Sequence, residues 1–256
     1  MMRAVTFTPL AGLGDNYLQI SLLLKWARDL NETIVVIFFH DGYIPPDEQR
    51  ANSAIHVQID LLALLAPHPH VLFAQLPGHH PYPYDPLSVH AFSPSVMFDR
   101  QSITEYWPLE RRKFTACAVP STPYIAMAFD SVSWPQLKAF QPQEIAYFVR
   151  EMTNRGYSIV DVGGNRALSE KAYIIDHAAA FVGAASGLAH VAAGLGKLCY
   201  VVVPEADHAD FAWFTATLRH NGANYQDCVR YQINHDGLID FFKLPHIFQD
   251  EAHQDV

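Results

Sequence analysis

Basic charge, cysteine and long apolar runs are all scarce in this chain of 256 residues. Only 17 lysines and arginines stand against 26 aspartates and glutamates, a formal net charge of −9. Binding to a phosphate backbone is driven by clustered basic residues, so nucleic acid is excluded as a partner. The three cysteines, Cys117, Cys199 and Cys228, are far apart and odd in number, which fits neither a disulfide framework nor a zinc spacing. A reducing cytoplasm is the expected location. No stretch approaches the roughly 18 consecutive apolar residues of a membrane span. The apolar run before Pro9 and Gly12 is also too short for a signal peptide. The expectation is a cytoplasmic protein without a transmembrane segment, whose membrane contact, if any, is peripheral.

What is present is a composition that is 50% hydrophobic, enough for a real core in one large domain or two small ones. Two glycine-rich turns stand out, each where a buried strand runs into a helix. The first, Ala11-Gly12-Leu13-Gly14-Asp15-Asn16, follows the apolar residues Ala4 to Phe7. The second, Gly183-Ala184-Ala185-Ser186-Gly187-Leu188-Ala189-His190, follows Ala179 to Val182. A strand that ends in glycine and starts a helix exposes unpaired N–H groups at the positive end of the helix dipole, a cradle for phosphate. Two such junctions imply two nucleotide-fold units and a phosphate-bearing substrate.

Strand and helix patterns alternate through much of the chain, as in an α/β fold with parallel sheets. Tyr17 to Asn31 reads as a helix, Thr33 to Phe39 as a buried strand, Ala54 to Leu65 as a second helix and His70 to Ala74 as a short strand. From Leu76 to Val119 proline, histidine and aromatics are dense, which predicts a long loop with a short helix around Ile103 to Arg112. That loop is either a flap stacking aromatic rings on a sugar or an irregular linker packed by its own aromatics. His68, His70, His79 and His80 lie nearby without regular ligand spacing, so no metal site is expected there. Alternation then restarts. Tyr124 to Phe129, Tyr157 to Val162, Ala179 to Val182 and Leu198 to Val203 read as strands, with helices over Pro142 to Arg155, Ser169 to His177 and Gly187 to Leu195. A domain boundary between Ala116 and Pro123 follows, giving units 1–118 and 119–256. The predicted fold class is α/β, two Rossmann-like domains facing a central cleft. The end of the chain carries a short amphipathic stretch, Leu238 to Leu244, before an acidic tail.

Four features together resemble the family-9 glycosyltransferases, which include the ADP-heptose lipopolysaccharide heptosyltransferases and have the GT-B fold. They are the early Gly-Leu-Gly-Asp-Asn turn, the strand near Tyr124 followed by a serine-rich loop and Lys138, the Val162-Gly163-Gly164 turn, and the segment from Phe181 to Ala193. The resemblance implies an inverting transfer of a sugar from a nucleotide-diphosphate donor to a hydroxyl of a glycan or lipid-linked acceptor. It implies no cofactor beyond the donor itself.

It also assigns roles. Asp15 becomes the general base that takes the acceptor proton, with Gly12, Gly14 and Asn16 on the acceptor side. Asp15 equally suits a helix cap, as does Asn16. Ser186, Gly187 and Leu188 would offer a hydroxyl and backbone N–H groups to the diphosphate; the alternative is a tight strand-to-helix packing turn. His190, one turn on, is either a phosphate or ribose contact or a packed core histidine. Lys138 and Arg166 are the basic candidates for the diphosphate, although an exposed lysine is the ordinary reading of Lys138. Gly163, Gly164 and Glu170 fall on the nucleoside or sugar side. There is no Asp-X-Asp triplet, and Asp207-His208-Ala209-Asp210 reads as the start of a helix, so metal-independent chemistry is expected.

One departure stands out: Ala185 occupies the position where the family usually carries Asp before its Ser/Thr-Gly pair. Either the donor is bound differently or the chain is a diverged, non-catalytic nucleotide-sugar binder. Another enzyme on the same scaffold, an epimerase or a pyruvyltransferase, would keep the phosphate cradle with a different acid/base set.

Overall fold

The computed structural model describes residues 2–7, 13–31, 33–40, 60–77, 105–129, 142–164, 166–184, 186–204 and 230–231. The chain divides into two compact units, Met1–Phe114 and Thr115–Val256.

In the first unit, β1 (Met2–Phe7) leads into α1 (Leu13–Leu30), which returns to β2 (Thr33–His40). A third strand, β3 (Val71–Pro77), completes a parallel sheet of order β1-β2-β3. Helix α1 starts four residues earlier than the hydrophobic spacing predicts, so Gly14, Asp15 and Asn16 lie in its first turn rather than in a turn before it. A carboxylate there favours helix initiation through the macrodipole, and Gly14 costs only about 1 kcal/mol. The helix is apolar nearly all round, with Tyr17, Leu18, Ile20, Leu22, Leu23, Leu24 and Ala27 buried. A helix buried on this many sides must be covered by more than one neighbour.

Part of that cover comes from residues 105–113, and here the expected short helix is absent. The segment is extended, bridges Leu109 to Leu65 antiparallel, and ends in a single 3-10 turn, Arg111–Lys113. Pro108 supplies no N–H for a helix, and the backbone partners lie elsewhere: Ala66 N donates to Pro108 O, and Glu110 N to Leu64 O, both at 2.8 Å. Trp107 is 1% exposed and is held on every polar atom. Its carbonyl accepts from Tyr17 Oη at 2.6 Å, its N–H donates to Ser21 Oγ at 2.9 Å, and its indole N–H donates to Ala66 O at 2.7 Å. The predicted long loop therefore ends in core structure. The rest of that loop, 78–104, lies outside the described residues, as do the helix predicted before residue 60 and the stretch Leu238 to Leu244.

The second unit is a parallel sheet of order β5-β4-β6-β7-β8. Its elements in chain order are β4 (Tyr124–Ala128), α2 (Pro142–Asn154), β5 (Ser158–Asp161), α3 (Leu168–His177), β6 (Ala180–Ala184), α4 (Gly187–Gly194), β7 (Cys199–Pro204) and β8 (Arg230–Tyr231). Every residue of β4 and β6 is buried, as expected of strands covered on both faces. On one face, Phe148 and Met152 of α2 pack with Ile125, Met127, Phe129 and Val182. The rings of Phe129 and Phe148 meet edge to face at 5.4 Å. On the other face, Tyr124 Oη donates to Ile174 O of α3 at 2.6 Å. Burial, helped by Cys117, Tyr173 and Asp176, pushes the Tyr124 phenol up to about 12, so it stays a neutral donor.

Candidate active site

The strand order of the second unit points to a candidate site. From β4 the chain crosses to β5 on one side, then passes back over β4 to lay β6 on its other side. The order reverses between β4 and β6, and in open parallel sheets ligands bind outside the carboxyl ends of the strands at such a reversal. Ala128 and Gly183 are paired at that edge, with Val201 level on β7.

Gly183 is demanded by close approach. A Cβ there would lie 2.5 Å from the carbonyl oxygen of Ala128 and 2.9 Å from the ring of Phe181. Its role is therefore to let β6 pass tightly at the edge, setting the exit direction of the chain. Ser186 follows as the N-cap of α4, with extended backbone at φ −140° and ψ 173°. Its carbonyl accepts the first intrahelical bond, from Ala189 N at 3.1 Å. Serine at this position ordinarily turns its hydroxyl onto the helix's own N–H groups. Here it does not: Ser186 Oγ makes no capping bond, is buried, and has no hydrogen-bond partner among the described residues. Leaving such an oxygen unpaired costs about 1–3 kcal/mol. A polar group kept at that cost beside a helix N-terminus suits an anion that supplies the missing acceptor.

The turn after β5 flanks the same edge. Val162 N donates to Met127 O at 2.8 Å, carrying the β4–β5 ladder one step further. Gly163 N–H donates to Asp161 Oδ1 at 2.8 Å, and Gly164 takes a left-handed φ of +65° that favours glycine. From α3, Lys171 Nζ donates to Gly164 O at 2.7 Å.

Residues 136–217 match the model of glycosyltransferase family 9 (heptosyltransferase). That stretch holds α2 through β7, hence both turns just described. No curated protein matches the sequence significantly. Among solved structures, the iron-containing dodecameric glycosyltransferase TibC from enterotoxigenic E. coli H10407 aligns at 15% identity and a TM-score of 0.52, over 80% of this chain and 58% of that one. TibC in complex with ADP-D-beta-D-heptose aligns at 14% identity and a TM-score of 0.53, with the same coverage. The E. coli heptosyltransferase WaaC with ADP aligns at 12% identity and 0.43, over 81% and 88% of the two chains. The chain thus spans 58% of the length of TibC. The likeness to TibC establishes the fold class, α/β with Rossmann-like units of the GT-B type.

The sequence-predicted residues divide by location. Ser186, Gly187 and Leu188 form the β6–α4 junction, Leu188 half-buried in the first turn of α4. His190, on the same helix, is 2% exposed and belongs to the packed interior of the unit. Gly163 and Gly164 form the turn after β5, Arg166 is exposed beyond it, and Glu170 is half-buried in the first turn of α3. In the first unit, Asp15 and Gly14 sit in the first turn of α1, and Asn16 is fully buried there. Gly12, Lys138, Ala185 and the Asp207–Asp210 stretch lie outside the described residues. Among the described residues, no group of three His, Cys, Asp or Glu side chains is placed to hold a metal ion, and no helix is long and apolar enough to cross a membrane. Asp161 and Lys171, which hold the Gly163–Gly164 turn, were not singled out by sequence reasoning. Their signal was available as a carboxylate two residues before a Gly-Gly pair and a lysine one helical turn into the next element.

Proposed function

We propose that this protein is a glycosyltransferase that moves a sugar from a nucleoside-diphosphate donor to an acceptor hydroxyl in cell-surface glycan or lipopolysaccharide synthesis. The observation that carries this reading is the buried, unpartnered Ser186 hydroxyl at the N-terminus of α4, on the edge where the strand order reverses. The family-9 match over 136–217 supports the same assignment, and TibC, of like fold, has been captured with an ADP-heptose.

In the reaction, an acceptor oxygen attacks the anomeric carbon while the bond from that carbon to the diphosphate oxygen breaks, inverting configuration. The leaving nucleoside diphosphate takes up negative charge. Ser186 Oγ and the N–H groups opening α4 meet that charge, with the helix dipole behind them. The acceptor proton goes to a base. Asp15, in the first turn of α1, fills that role in this reading. The backbone and the dipole provide the neutralisation that a divalent ion gives elsewhere, so transfer proceeds without added metal.

Thermal denaturation of the purified protein against ADP, UDP, GDP, dTDP and CMP, with Mg²⁺ or with EDTA, tests the donor site, because a ligand that binds only the folded state raises Tm. Selective stabilisation by one nucleoside diphosphate, unaffected by EDTA, is expected. Absence of any shift at millimolar ligand sinks the assignment. With the donor known, Asp15→Asn should abolish transfer and leave donor binding intact.

A further inference from the structure

We propose that Asp161 and Lys171 are positioning residues for the nucleoside end of the donor, acting through the Gly163–Gly164 turn. This rests on the donor site assigned above and adds to it the part that selects for more than a diphosphate.

Two successive glycines without Cβ atoms are the most costly residues to order, and a free Gly-Gly turn samples many conformations. This turn is fixed at both ends by side chains rather than by its own ladder. At its start, the Asp161 carboxylate accepts the Gly163 N–H; at its end, the Lys171 ammonium binds the Gly164 carbonyl. Both bonds involve an ionised partner and so are of the stronger kind. The first comes from the last residue of β5, the second from α3, so the turn is tied to the sheet and to the layer above it. Asp161 is exposed at the end of β5, and Lys171 points back from α3 across the turn instead of outward.

The location gives the pinned turn its use. β5 lies two strands from β6, with β4 between them. At about 4.8 Å per strand, the turn is roughly 10 Å along the sheet edge from the Ser186 junction. A ribose extended from a diphosphate seated on α4 reaches over that interval. A bare peptide surface, held rigid beforehand, can lie against a ribose or base without an ordering cost at the moment of binding.

The test compares two probes, ADP and inorganic pyrophosphate, by calorimetric titration. Lys171→Met and Asp161→Asn should each weaken ADP by about tenfold, the scale of one charge-assisted hydrogen bond. They should leave pyrophosphate affinity within experimental error, and Lys171→Arg should restore most of the ADP affinity. In turnover, KM for the donor should rise while kcat holds. Unchanged ADP affinity in both variants overturns the proposal. So does equal weakening of ADP and pyrophosphate, which would mean a general effect on the unit. If the unaltered protein binds neither probe, the donor site itself is refuted and this inference falls with it; if it binds both and the variants match it, only this inference fails.

Discussion

Tyr17 Oη donates to the carbonyl of Trp107 at 2.6 Å, joining the first helix to a strand-like segment 90 residues later. Ser21 closes the loop: its Oγ donates to Tyr17 O at 2.7 Å and accepts from Trp107 N–H at 2.9 Å. Burial raises the Tyr17 phenol well above its ordinary value, so it remains a donor at any pH at which the protein is folded.

Tyr17→Phe removes the donor and leaves the Trp107 carbonyl buried without it. The expected cost is about 1–3 kcal/mol. A decrease of several degrees in Tm, followed by near-ultraviolet circular dichroism of the Trp107 environment, checks this. A variant as stable as the parent would show that water replaces the phenol.

Gly183→Ala should be among the most damaging single-methyl changes in the second unit. The added carbon would press on the Ala128 carbonyl at 2.5 Å, backbone against backbone with no rotamer to relieve it. Overpacking of this kind costs about 1–3 kcal/mol or more. Gly164→Ala meets no atom within 4 Å, yet its φ of +65° makes it cost about 1–2 kcal/mol through backbone strain alone. Urea denaturation of the two variants separates clash from strain.

Stability should fall below neutral pH through His68. Burial holds its imidazole below the ordinary value, His70 and Arg28 act in the same direction, and Glu105 opposes them. The geometry agrees, since His68 Nδ1 accepts the His70 N–H at 3.2 Å and the ring packs on Trp107 at 5.5 Å. The folded state therefore binds this proton less tightly than the unfolded one. The stabilisation is complete above the unfolded pKa, about 6.5, and is lost as pH falls through that value to the depressed folded one. His68→Gln should flatten the fall in Tm between pH 8 and pH 5 relative to the parent. Parallel curves would remove His68 from the account.

Ser186→Ala should separate binding from stability. Without ligand, the variant loses an unpaired buried oxygen and should be as stable as the parent or more so. Its affinity for ADP should fall by about tenfold, since a hydrogen bond to a charged group is lost. A drop in Tm of the unliganded variant would show that the hydroxyl already has a structural partner.

The second unit was largely readable in the sequence because its signals are local. The β4, β6 and β7 segments are short apolar runs bounded by Gly or Pro, and the Ile145, Phe148, Val149 and Met152 spacing puts one face of α2 on the sheet. Trp107 was not readable. Its surroundings come from Tyr17, Ser21, Ala66, His68 and Phe73, all distant in sequence, so composition suggested a loop where the fold makes core. The start of α1 was misplaced for a different reason: two glycines look like a turn, whereas Leu13 and Asp15 let the helix begin between them. The candidate site was legible in its position but not in its geometry. Ser186 followed from the strand–glycine–helix grammar, but the orientation of its hydroxyl, and the restraints from Asp161 and Lys171, depend on geometry that spacing alone does not carry.

The position of β4 between β5 and β6 also dictates how the second unit is made. Ile125 must pair with Ile159 on one edge and with Ala180 on the other, so β4 cannot complete both pairings until the chain has been made past Ala184. Each pairing is parallel and non-local, which slows folding and leaves a sticky apolar edge exposed on the ribosome. A nascent chain paused before β6 would present that edge to chaperones, whereas one released after β7 can close both sides of β4 in a single step.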